Sequence, residues 1–299
     1  MLREQRIVEE EAEIILPTGK AVCFKLHGQI LTDRSSSCFV VKDAGDDPDI
    51  TNGAEIHAAI EAEFFVPQRI VLQGGAGVGR VTKPGLAVPV GEPAINPVPR
   101  RMIVENVKEV LALRCIPAAF TITISIPNGA KLAKKTLNER LGIVGGLSIL
   151  GTTGVVKPIS TKAWTDTIDC SIDVALASGA EIVILSTGRT SELAAQKYTG
   201  LGARGSELGN SLKEESFVMM GDHVGYALRA CQTKGVKRVI LAGQFAKLVK
   251  IACGHEQTHV SSSGLDLQSL AKWCSLEPRT SNLESLSRQA NCWQSTLSE

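Results

Sequence analysis

The first half of the chain sets short β-like runs between Gly and Pro turns. EIILPTGKAVCFKL predicts a hairpin turning over Pro17, Thr18, Gly19 and Lys20, and CFVVKDAG predicts a strand that ends at a turn. RIVLQ is a further strand, and residues 102–113 (MIVENVKEVLAL) carry helical periodicity. FTITISIP alternates as a strand before NGAKLAKKT, where Asn128 is the expected helix cap. Prolines 84, 89, 93, 97 and 99 predict an extended, irregular stretch ahead of the 102–113 helix.

From residue 161 the pattern changes. A predicted helix over 161–178 leads into the apolar strand EIVILS, and TGRTSELAAQKY then reads as a turn running into a helix. HVGYALRACQTKG predicts a helix stopped by Gly235, VKRVILAG a second buried strand, and AKLVKIAC the helix behind it. Apolar strands without period-two alternation, separated by helices, predict βαβ units around a parallel sheet. The expected fold is an α+β N-terminal domain over residues 1–160, with Gly/Pro-rich loops. A small Rossmann-like α/β domain with a mainly parallel sheet follows over 161–299 and ends in a helical, Ser-rich tail. The boundary is placed near Pro158.

Composition narrows the function classes. With 43% hydrophobic and 21% charged residues in 299, the chain suits a globular protein with a sizeable core. A net charge of +1 supplies no field for nucleic acid or a membrane surface. MLREQRIVEEEAEI has no apolar signal region, and the uncharged run Leu141–Val156, broken by Gly and Thr, is too short to span a bilayer. Eight scattered cysteines without a C-x-x-C pair fit reduced thiols, so the expected location is the cytoplasm.

Several motifs carry chemistry. His255-Glu256-x-x-His259 has the spacing of a zinc hydrolase helix, with Glu256 as general base. Gly254, however, sits where a helix-terminating glycine belongs. Ser262 and Leu265 also stand where the extended pattern needs Gly and a third His. The expectation is no protein-bound metal, with a zinc-dependent hydrolase as an alternative. RIVLQGGAGVGRVTKPG offers Gly74, Gly75, Gly77 and Gly79, but Arg80 breaks the dinucleotide fingerprint and no helix can follow. A close-approach loop is the better reading. The Asp46, Asp47 and Asp49 turn either orients a substrate or is simply solvated. GIVGGLSILGTTG is open in the same way, between a ligand loop and tight strand packing.

The loops after the parallel strands are the most informative. Ligands of open α/β sheets bind beyond the carboxyl ends of the strands. Here those ends are Ser186, Thr187, Gly188 and Arg189, and Gly243 with Lys247 in the following helix turn. A helix start with Arg or Lys beside it is a ready anion site.

Four longer stretches carry a resemblance. AGDDPDITNGAEI, GVGRVTKPGLAVPVGEPAINPVPRRMI, TISIPNGAKLAKKTLNERLGIVGGLSILGTTGVVKP and GQFAKLVKIACGHEQTH resemble, in that order, the CbiD family. Its members are cobalt-precorrin-5B C-1 methyltransferases of the anaerobic cobalamin pathway. The resemblance runs from Glu13 to His259. The Gly-Tyr-Thr-Thr-Gly start usual in the family is absent. The common Asn-Thr-His-Ser is here Gln257-Thr258-His259-Val260, which keeps His259 at the family position.

This resemblance implies a methyltransferase that takes its methyl group from S-adenosylmethionine and acts on a cobalt-corrinoid small molecule, the cobalt arriving with the substrate. Arg100, Arg101, Arg189 and Lys247 would pair with the corrinoid's peripheral carboxylates. His259 is the expected general base, with Asp46 or Asp47 second. A non-catalytic tetrapyrrole-binding protein is the other alternative, and assembly into a homo-oligomer is left open. Neither nucleic acid nor membrane is an expected partner.

Overall fold

A computed structural model of the chain describes residues 10–112, 118–150, 155, 161–199 and 212–275. They belong to two compact units, Met1–Ser160 and Thr161–Glu299. The boundary position near Pro158, Cys115, Cys292 and the Ser-rich tail beyond Ser275 lie outside the described residues.

The first unit opens with the expected hairpin. β1 (Glu11–Ile15) pairs antiparallel with β2 (Ala21–Lys25), and Gly19 takes φ +81° in the turn while its N–H donates to Leu16 O. Next come β3 (His27–Leu31), β4 (Ser35–Val41), β5 (Glu55–Phe64), β6 (Arg69–Gly74) and β7 (Arg80–Val81). The helix α1 (Pro97–Ala112), β8 (Ala118–Ser125), the short α2 (Gly129–Ala133) and β9 (Ile143–Val144) complete it. The five-stranded sheet runs β3-β4-β5-β8-β6, antiparallel except for the parallel β6–β8 pair. β8 alternates along AAFTITIS, burying Ala118, Phe120, Ile122 and Ile124. Ile103 and Val107 of α1 pack on the cluster built around Ile122 and Ile124.

Two expectations are corrected here. The proline stretch does not stay extended to its end, because Pro97 and Pro99 lie in the first turn of α1. First-turn N–H groups have no intrahelical partner, so proline loses little there. Asn128 precedes α2 but makes no side-chain capping bond.

The Gly-rich segments are a backbone crossing. A Cβ on Gly77 would lie 1.9 Å from Ile126 O, and a Cβ on Gly129 or on Gly146 would lie 2.1 Å from Gly77 O. Glycines from three segments therefore let three chains touch, which is the close-approach reading of both Gly-rich motifs.

The second unit is a parallel sheet between helices. In chain order it holds α3 (Thr161–Ala177), β10 (Ile182–Ser186), α4 (Arg189–Thr199), β11 (Phe217–Met219), α5 (Val224–Thr233), β12 (Arg238–Ala242), α6 (Phe245–Ala252) and α7 (Leu267–Ser275). The strand order is β11-β10-β12, with both pairings parallel. All five residues of β10 are buried, as a central strand covered on both faces requires. Val183 and Leu185 join Ile168 and Ile172 of α3 and Ala227 of α5. Ile182 and Ile184 join Ala195 of α4 on the other face. Burying each such aliphatic side chain contributes about 1.5–3 kcal/mol. Because β11 and β12 flank β10 on opposite sides, the winding of the chain reverses at β10, and in such sheets ligands bind beyond the strand ends at that switch point.

Candidate functional site

Around the carboxyl ends of β10, β11 and β12 the second unit gathers its polar side chains. Ser186 closes β10 fully buried, its Oγ donating to Val218 O at 3.4 Å. Thr187 is also buried. Its N–H donates to Ala242 O at 3.0 Å, tying the end of β10 to that of β12, and its Oγ1 lies 3.2 Å from Ser191 Oγ. Gly243 is held small by Thr187, whose Cγ2 would lie 2.9 Å from an added Cβ. No such constraint applies at Gly188, which borders open space.

Arg189 begins α4 and is paired inside its own helix. Its guanidinium lies 2.9 Å from Glu192 Oε1, and Glu192 is fully buried while 60% of the Arg189 side chain is exposed. Gln196 Nε2 also donates to Glu192 Oε1 at 3.2 Å. The arginine thus compensates a buried carboxylate and presents its outer nitrogens to solvent.

Lys247, in the first turn of α6, reaches across the top of β10. Its Nζ lies 2.8 Å from Asp222 Oδ1 and 3.5 Å from Thr187 O. Asp222 follows β11, so this ion pair links the loops after the two outer strands. Burial pushes the Asp222 carboxyl upward, but hydrogen bonds from Lys247 and Thr258 and the charges of Lys247 and His259 outweigh it. The carboxyl is held below the ordinary aspartate value.

His259 stands at the end of a strap that leaves α6. Gly254 takes φ +86° and its N–H donates to Ile251 O, so the helix stops before His255. His255 and His259 therefore do not share a helix face, and Glu256 pairs with Arg229 at 2.7 Å. Among the described residues no three His, Cys, Asp or Glu side chains are placed to hold a metal ion. The strap is fastened residue by residue. Gly225 N–H donates to Glu256 O at 2.9 Å, and Gln257 Nε2 meets His223 Nδ1 at 2.9 Å. Thr258, 1% exposed, donates its hydroxyl to Asp222 Oδ1 at 2.6 Å, and Lys250 Nζ donates to Thr258 O at 3.0 Å. His259 is the next residue and is exposed. Its Nδ1 accepts the Ser261 N–H at 3.3 Å and lies 2.7 Å from Ser261 Oγ, which assigns the proton of the neutral ring to Nε2.

The structure thus brings Thr187, Gly243, Lys247 and the base of the His259 strap together. Asp222, Thr258 and Lys250 join them without having been expected. The run FVMMGD does carry a signal, an apolar stretch closed by Gly-Asp, but a strand of three residues is too short to stand out. In the first unit, Asp46 is exposed, and the order of its turn comes from neighbours. Asp49 pairs with Lys42 and accepts from Thr51, and Asp43 accepts the Gly45 N–H. Asp47 contributes a backbone N–H to Ala44 O. Arg100 turns toward Glu92 and Pro93 O, whereas Arg101 is exposed on α1. Among the described residues no helix is long and apolar enough to cross a membrane.

Together these features define a mixed α/β protein whose polar side chains converge at parallel strand ends, where such sheets bind small molecules. The CbiD family model matches residues 1–158. The cobalt-precorrin-5B C(1)-methyltransferase of Citrifermentans bemidjiense is 65% identical over 97% of this chain and 78% of its own length. Its namesake from Geobacter sulfurreducens is 61% identical, over 99% of this chain and 81% of that protein. A crystal structure of a cobalamin biosynthesis protein (cbiD) from Archaeoglobus fulgidus is 25% identical, with a TM-score of 0.40 over 85% of this chain and 74% of that one. The chain belongs to the CbiD family.

Proposed function

We propose that this protein methylates carbon 1 of cobalt-precorrin-5B to give cobalt-precorrin-6A in anaerobic cobalamin biosynthesis, with S-adenosylmethionine as donor. The observation that carries this reading is the 65% identity to a cobalt-precorrin-5B C(1)-methyltransferase across nearly the whole chain. In the transfer, the donor's methyl–sulfur bond breaks and its electron pair stays on sulfur, leaving a thioether. The ring supplies the pair for the new carbon–carbon bond. Such an in-line displacement gains most from positioning.

The residues suit these demands. Lys247 and Arg189, at the starts of α6 and α4, provide cations and helix N-termini for peripheral carboxylates of the corrinoid. Gly188 and Gly243 line the strand ends, while Ser186 and Thr187, both buried, support them from beneath rather than facing a ligand. His259 is the preferred base for a proton leaving the ring, because an imidazole ring nitrogen can accept that proton and pass it on. The cobalt is part of the substrate.

An anaerobic incubation with cobalt-precorrin-5B and methyl-labelled S-adenosylmethionine, read by mass measurement of the corrinoid, tests the reading. The expected product carries one labelled methyl group. Corrinoid binding without transfer would favour the tetrapyrrole-binding alternative instead.

A further inference from the structure

We infer that Asp222 is the positioning residue of this site, acting through Thr258 on His259 and directly on Lys247. The inference rests on the methyltransferase reading above and adds to it the part that sets the geometry. Asp222 stands just beyond β11, on the far side of β10 from β12, the strand that leads into α6. Its single oxygen Oδ1 receives the Lys247 ammonium at 2.8 Å and the Thr258 hydroxyl at 2.6 Å. Its backbone carbonyl also accepts the Thr258 N–H at 3.2 Å.

Both proposed working groups therefore hang on one carboxylate. Lys247 is a long side chain with many rotamers, and the Asp222 contact selects the one that crosses the sheet top. His259 is exposed, its ring touches only the neighbouring Ser261 among the contacts described, and its backbone is placed by the strap fastened at Thr258. That strap is closed by Asp222 from one side and by Lys250 from the other, on a threonine that is 1% exposed. A charge-assisted pair of hydrogen bonds sharing one acceptor is directional, so loosening it displaces both partners together. Asp222 does not need to touch the substrate for this.

The experiment compares the wild type with Asp222→Ala, Asp222→Asn, Thr258→Val and the Asp222→Ala/Thr258→Val double variant. Each is assayed anaerobically with cobalt-precorrin-5B and labelled S-adenosylmethionine, and each is melted to measure the folded fraction. Asp222→Ala should lower kcat per folded molecule on the order of thirtyfold while the corrinoid KM stays level or falls. Asp222→Asn keeps an acceptor oxygen in place and should recover most of that loss. The double variant should be no worse than Asp222→Ala alone, because both changes break one connection. If Asp222→Ala does not fold, Thr258→Val removes one hydroxyl and should still lower kcat about tenfold. Unchanged kcat in Thr258→Val and Asp222→Ala, or fully additive losses, would overturn the inference while leaving the methyltransferase reading intact. A wild type that binds the corrinoid and transfers no methyl group would instead sink that reading, and this inference with it.

Discussion

Lys247 and Asp222 form an ion pair at 2.8 Å that spans the ends of the parallel sheet, each side chain 27% exposed. A carboxyl held below its unfolded value of 3.8 contributes stability that is complete above that pH and is lost as pH falls through the lower folded value. Asp222 therefore stabilises the fold at neutral pH and ceases to do so in acid. Several other carboxylates are lowered as well, among them Asp49 and Glu256, so the wild type should weaken steeply below about pH 4. Urea unfolding of wild type and Asp222→Asn between pH 5 and pH 3 isolates one group. The wild type should lose stability more steeply than the variant. Equal slopes would mean that the pair does not form in solution.

Arg189 differs from an ordinary exposed cation because its partner is not exposed. Glu192 is fully buried, and removing the guanidinium leaves that carboxylate with less compensation. Arg189→Ala should cost about 1 kcal/mol, discounted because the arginine itself is mostly in solvent. Adding Glu192→Gln should return part of the loss by removing the buried charge. Thermal melting of the single and double variants reads both effects. A double variant no more stable than Arg189→Ala would show that the pair is not what holds this turn.

The two kinds of glycine in this chain should respond in opposite ways. Gly77 combines φ +72° with a Cβ position 1.9 Å from a backbone oxygen that cannot move away cheaply. Gly77→Ala should cost about 4 kcal/mol or prevent folding. Gly188 has open space around its Cβ position and no left-handed backbone, so Gly188→Ala should stay within about 0.5 kcal/mol of wild type. Soluble expression and urea midpoints separate the two outcomes.

Legibility in the sequence followed the range of the forces involved. EIVILS announces a central parallel strand because burial on both faces leaves no polar position. The PTGK turn and Gly235 and Gly254 as helix stops were readable because a left-handed residue is a local requirement. β5 escaped notice because EIHAAIEAEF is rich in Ala and Glu, which favour helices. Pairing with β4 on one side and β8 on the other overrides that preference. The candidate site divided along the same line. Lys247 and the strand-end loops were visible from their places after apolar runs. Asp222 and Thr258 were not, because their meaning lies in a contact between residues 36 positions apart.

The proton role proposed for His259 can be separated from the binding role proposed for Lys247. Its Nδ1 accepts the Ser261 N–H and lies 2.7 Å from Ser261 Oγ, so the free face of the neutral ring is Nε2–H. A proton taken up by the ring must therefore reach Nδ1, and the Ser261 hydroxyl is the group beside it. His259→Ala should lower kcat on the order of a hundredfold with little change in corrinoid KM. Ser261→Ala should lower kcat by a smaller factor and in the same parameter, since it removes the relay and leaves the base. Lys247→Ala should instead raise the corrinoid KM about tenfold with a smaller loss of kcat, because it removes a carboxylate partner and leaves Asp222 repelling the anionic substrate. Steady-state kinetics across pH 6–9 distinguish these patterns. Full turnover by His259→Ala over that range would show that the histidine handles no proton in the reaction and is only part of the pocket wall.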